Sequence, residues 1–120
     1  MPYSTYAKNR FLSTWRNTSG AITTTYASLH TASPGDAGTS EVTGGSPAYA
    51  RKAMVWNAPV AGAMDGDSVV FDVPASTVTH VGFWDALTAG NFLGYATVIA
   101  EVYAAQGTYT LTDSDVTLNS

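Results

Sequence analysis

Residues 77–102 read TVTHVGFWDALTAGNFLGYATVIAEV, and this stretch decides the fold. From Thr77 to Asp85 the side chains alternate. Val78, His80, Gly82 and Trp84 fall on one side, Thr79, Val81 and Phe83 on the other, which is the two-residue period of a strand. Leu87 to Asn91, LTAGN, has the composition of a hairpin turn. Phe92 to Val102 is a long apolar run, read as a buried strand; residues 96–105 also admit a turn or two of helix. Two strands joined by so short a turn are antiparallel.

Working outward, the β pattern continues in both directions. Ser68 to Val73 is a short apolar strand ended by Pro74, whose missing N–H cannot continue a central ladder. Tyr49 to Trp56 alternates, with Tyr49, Arg51, Ala53 and Val55 sharing one face. Ile22 to His30 is Thr-rich and β-prone. Asn57 to Asp67, NAPVAGAMDGD, reads as a turn-rich connection. Gln106-Gly107 breaks the chain, and Thr108 to Leu118 gives one strand or two around Asp113-Ser-Asp115. The only convincing helix is Ser4 to Arg16, where Tyr3, Ala7, Phe11 and Trp15 recur at four-residue spacing beside Leu12. Ser4 or Thr5 caps its start and Asn17-Thr-Ser-Gly20 stops it.

The sum is a mainly β fold: an antiparallel β-sandwich or small barrel of about six or seven strands with one N-terminal α-helix. Residues 1–20 form a helical arm and 21–120 a single β domain. No internal repeat, heptad or fibrous periodicity runs through it.

A chain of 120 residues is long enough to bury a real core. It has no cysteine, which excludes a disulfide framework and a thiolate metal site. No apolar run reaches the ~20 residues that span a bilayer, and MPYSTYAKNRF lacks the apolar centre of a signal peptide. The expectation is a protein made in a cytosol, or assembled there into something larger, with no membrane partner. Charge is sparse and uneven. Lys8, Arg10, Arg16, Arg51 and Lys52, all the basic residues, lie in the first 52 positions. Set against Asp36 and Glu41 they leave +3, whereas the remainder carries seven acids and no base, for a total of −4. This is either accident in a charge-poor chain or a two-poled molecule whose basic end meets an acidic partner. So few bases exclude a nucleic-acid partner.

Catalytic constellations are weak. His30 has Asp36 and Glu41 near it in sequence, and a His–carboxylate pair is a candidate general base. No serine has a nucleophile-elbow setting, and no third group is identifiable. His80, among apolar strand neighbours, reads as a hydrogen-bonded structural histidine. Asp65-Gly-Asp67 resembles a fragment of a calcium loop but lacks its further ligands, and reads as a hairpin turn; Asp113-Ser-Asp115 is no stronger. Trp84 and Tyr95 are the best candidates for a sugar-stacking platform, against core packing for all three tryptophans. No metal, cofactor or catalytic residue is assigned.

Tyr26 to Lys52 contains a connection too long for a compact domain unless it is functional, packed on itself, or a partner-binding arm. Its wording carries a resemblance. Ser28-Leu-His-Thr-Ala-Ser-Pro-Gly-Asp-Ala-Gly38, Glu41-Val-Thr-Gly-Gly45, Tyr49-Ala-Arg51 and Val78-Thr-His-Val-Gly-Phe-Trp84 resemble a family of small tailed-bacteriophage virion proteins, commonly labelled tail fibre or minor structural proteins. Four motifs occur in order, with Ser33 where Asp is usual and Ser46-Pro47-Ala48 lengthening the step into Tyr49. The resemblance implies a virion location and no enzyme activity. A compact domain without fibre repeats then suggests an accessory capsid protein that decorates or cements the head by binding capsid subunits. The alternative is a tail-fibre, minor tail or tail-tip module contacting host glycan. Either reading implies a homo-oligomer with the major capsid protein or other virion subunits as partners. Tyr3, Phe11, Trp15, Arg51 and Lys52 are the expected subunit-interface residues.

Overall fold

The computed structural model describes residues 2–15, 24–112 and 114–117, with the side chains of residues 13–15 excepted. The fold is mainly β, an antiparallel sandwich carrying one N-terminal helix. Helix α1 (Thr5–Trp15) precedes eight strands among the described residues: β1 (Tyr26–His30), β2 (Lys52–Ala53), β3 (Ala63–Gly66), β4 (Val69–Val73), β5 (Ser76–Trp84), β6 (Phe92–Tyr103), β7 (Gly107–Leu111) and β8 (Ser114–Thr117). The helix stop at 17–20, the start of the Ile22–His30 strand and Asp113 lie outside the described residues.

The hairpin read from residues 77–102 is the centre of the molecule. β5 and β6 pair antiparallel, β1 adds to the other side of β5, and β2 to β1, giving the order β2-β1-β5-β6. Asp85 closes the connection: its carboxylate accepts from the Asn91 backbone N at 2.7 Å and from Asn91 Nδ2 at 3.0 Å. Two further ladders, β4–β7 and β3–β8, complete the fold.

Strand alternation places the core. Ala27 and Leu29 of β1 and Val78, Val81 and Phe83 of β5 cluster with Phe71 and Val73 of β4, Leu111 of β7, Val42 and Met54. Val78 and Val81 share that core although they are three residues apart. The β5–β6 register slips between Val78 and His80, which moves the inward face by one residue.

Three expectations are corrected. The turn-rich segment 57–67 holds β3, with its tight turn at Ala61-Gly62, both at positive φ; Gly66 lies within the strand, so Asp65-Gly-Asp67 is not the turn. The Tyr49–Trp56 alternation yields only the two-residue β2, because burial changes face between Arg51 and Met54. Phe92–Tyr103 is a strand throughout and not helical, but only its first half is covered: Ile99 is 93 % and Val102 74 % exposed.

Helix α1 docks through main chain as well as side chains. Ser4 N donates to Leu93 O and Tyr95 N to Pro2 O, so residues 2–4 add a short piece of strand to the outer edge of β6. Ser4 Oγ accepts from Ala7 N at 3.1 Å, the expected N-cap, and donates to Phe92 O.

Candidate functional site

Residues from the four sequence motifs, three within 28–51 and the fourth at 78–84, meet around β1 and β5. Strand alternation turns Ser28 and His30 away from the apolar core, and Gly82 and Trp84 of β5 face the same way. The long connection after β1 folds back over them. Thr31 N donates to Ser40 O, and Gly38 N and Thr39 N both donate to Pro34 O, which makes the segment a compact knot. Two glycines let it close. A Cβ on Gly38 would sit 2.5 Å from the Trp84 ring, and one on Gly82 would sit 2.7 Å from His30 Nε2.

Beneath that knot runs a fully satisfied polar chain. His30 Nδ1 lies 2.8 Å from the Thr39 carbonyl, which only accepts, so Nδ1 carries the proton. Nε2 is then an acceptor, taking the hydroxyl proton of Ser28 at 2.7 Å, and Ser28 Oγ accepts from Trp84 Nε1 at 3.0 Å. Burial is the chief cause that lowers the His30 pKa, outweighing the upward pull of the Thr39 bond and of Glu41, so the ring is held neutral. Ser28–His30 thus has the geometry of a nucleophile–base pair. It has none of the access: both residues are 0 % exposed, and the serine is already bonded to the indole. The candidate His30–carboxylate pair does not form. Asp36 accepts instead from Thr5 N at 2.8 Å at the start of α1, and Glu41 belongs to a second cluster.

That cluster is built on Arg51. Its Nε and Nη2 grip the Glu41 carboxylate, with Nη2 2.9 Å from Oε1, and its Nη1 donates to Ala86 O and Ala89 O at 3.0 and 2.9 Å. The guanidinium lies 3.7 Å from the centroid of the Trp84 ring. Tyr49 donates its hydroxyl proton to Glu41 Oε2 and accepts from Leu29 N, and burial raises its pKa far above the ordinary tyrosine value. One arginine therefore ties the long connection, the β5–β6 turn and the buried tryptophan together.

The residues expected at a subunit interface divide. Tyr3 and Phe11 meet edge to face with ring centroids 5.3 Å apart, and Tyr3 also donates to Thr117 O. Together with Trp56, Met64, Phe83 and Leu93 they line an apolar groove of about 410 Å³ beside α1. Phe11 and Leu12 are exposed. Arg51 is nearly buried, its donors used within the chain, and Lys52 is a half-buried residue of β2. The Trp15 side chain lies outside the description. Trp84, buried under Arg51, cannot be a sugar platform. His80 bonds the neighbouring Thr79 hydroxyl and meets Tyr95 edge on, as a structural histidine does. Asp65 faces Asp115 across the β3–β8 ladder.

Sequence reasoning missed the roles of Ser28, Gly38, Gly82 and Arg51. Their signal was present in the order of the motifs, but Glu41 lies 10 residues from Arg51, Trp84 lies 56 residues from Ser28, and the glycines meet their neighbours across a strand or loop contact.

A family model described as Podophage GP4 fiber I protein gp80 matches residues 2–118. No curated protein matches the chain. The chain belongs to that family of bacteriophage structural proteins.

Proposed function

We propose, from membership of this family, that the protein is a non-catalytic structural component of the virion and builds part of a fibre. The observation that carries the reading is the match over residues 2–118. The geometry is in keeping with it. The motifs that could have made a catalytic site instead form a buried brace, with a neutral histidine, a shielded serine and an arginine closed on its own glutamate. Such a brace fixes the shape of long connections, and loops of fixed shape are what a subunit contact needs.

Contacts with neighbouring virion subunits run through the helix end, where Phe11 and Leu12 stand exposed beside the apolar groove, with Lys52 supplying charge at the edge strand β2. Arg51 serves the contact indirectly by holding the connection that presents it. The working form is a symmetric homo-oligomer bound to other virion proteins, in a particle assembled in the host cytoplasm.

One observation favours a second reading, an accessory protein that decorates the head: the domain measures 47 × 26 × 23 Å and its sequence has no fibrous repeat. Gold-labelled antibody on intact particles separates the two. Label on tail appendages supports the fibre component, label over the head surface supports decoration, and absence of the protein from purified particles refutes both.

A further inference from the structure

We propose that Asp36 is a positioning residue for the contact at the helix end: it latches the first turn of α1 to the knot of the long connection, so that helix and knot hold or loosen together. This deepens the structural reading above and rests on it for the role of the helix. Asp36 Oδ1 accepts from Thr5 N at 2.8 Å and from Thr5 Oγ1 at 3.2 Å, so one carboxylate oxygen serves both donors of the first helical residue. Ser4 takes the Ala7 amide through its own side chain. The helix thus draws one cap from its own start and a second from 31 residues along the chain.

Two observations make the second cap consequential. At 11 residues α1 is too short to hold by itself, since isolated helices below ~12–15 residues are marginal in water. It also has no acidic residue in its first turn, and so lacks a charge of its own to suit the positive end of its dipole. Asp36 supplies that charge from outside the helix. Its backbone is set by the knot, where Pro34 O accepts from Gly38 N and Thr39 N, and Thr39 O accepts in turn from His30 Nδ1. A carboxylate carried on so fixed a turn imposes a direction on the helix.

The exposed residues of α1 take their place from that direction. Residues 2–4 fix where the arm enters, through main-chain bonds to Leu93 and Tyr95. Buried Ala7 and the edge-to-face contact of Tyr3 with Phe11 seat the helix, but apolar packing is non-directional. The hydrogen bond to Thr5 N is directional, and it fixes the first turn. Phe11 and Leu12 lie about two turns further along the same axis. Such coupling is reciprocal. Cutting the bond from the helix side loosens the knot, as cutting it from the knot side loosens the helix.

Hydrogen exchange on the whole chain is the test. Asp36→Ala is expected to speed exchange of the α1 amides from Lys8 to Leu12 by roughly 2- to 30-fold, the span that corresponds to losing a helix cap, and to leave the amides of β1 and β5 unchanged. Asp36→Asn keeps an accepting oxygen and is expected to restore most of the protection. Thr5→Pro removes both donors but puts a residue favoured at the first helical position. Its Gly38 and Thr39 amides are expected to exchange faster. Native exchange of α1 in Asp36→Ala overturns the proposal, as does a speeding spread evenly over the β-strands. So does native exchange of the knot in Thr5→Pro. Copies of Asp36→Ala per phage particle, counted on stained gels, test the contact separately: a loosened helix incorporated at the native level overturns the helix end as the contact, not the latch.

Discussion

At the scale of single residues, the buried histidine makes stability depend on pH. His30 is held neutral, with its pKa lowered mainly by burial, whereas in the unfolded chain it titrates near 6.5. Below that value the unfolded state takes up a proton that the folded state refuses, so stability falls as pH drops from about 6.5 toward the lowered folded value. Denaturant midpoints at pH 7.5 and 5.5 are expected to show this loss in the native protein, and a smaller loss in His30→Asn. Equal losses in both would mean that His30 is not the group responsible. The two glycines at this site make a sharper steric claim. Gly38→Ala puts a methyl group 2.5 Å from the Trp84 ring at a positive φ, and an overpacked core site costs roughly 1–3 kcal/mol. Gly35→Ala, also at positive φ but with open space around it, lacks the packing part of that cost. Unfolding midpoints of the two variants, measured side by side, check the difference.

At the scale of elements, Arg51 joins three of them, and its removal leaves Glu41 half-shielded without its cation. Breaking a buried pair from one side costs about 3–5 kcal/mol, and Glu41 keeps some exposure, so Arg51→Ala is expected near the lower end. Arg51→Lys is expected to recover little, because an ammonium cannot grip a carboxylate bidentately and reach two carbonyls at once. Thermal unfolding of the two variants measures this, and full stability in Arg51→Lys would contradict the brace. The same scale shows what was legible beforehand. The β5–β6 hairpin, α1 with its Ser4 cap, and β4 stopped by Pro74 were all written in local pattern, since period, caps and breakers act within a few residues. β3 was not, because AMDG is a strand only through its ladder with β8, about fifty residues on. The exposed half of β6 was equally hidden: an apolar run does not say whether its cover is in the same chain. For the site, the motifs were legible as a signature, but their convergence on Trp84 was not. Nothing local tells that the partner of His30 is the Thr39 carbonyl and not the carboxylate of Asp36 or Glu41.

At the scale of the whole molecule, the proposed contact at the helix end and the brace around Arg51 are built from different residues. Phe11 and Leu12 stand exposed on α1, whereas Arg51 spends its donors on Glu41, Ala86 and Ala89. The contact can therefore be altered on an intact frame. Phe11→Asp is expected to keep the native fold and lose incorporation into particles, because a carboxylate at the apolar helix end would be buried against a neighbouring subunit without a partner. Copies per particle, counted on stained gels of phage grown with the variant, measure incorporation, and circular dichroism of the purified variant measures the fold. Native incorporation of a natively folded Phe11→Asp protein would mean that the helix end is not the contact.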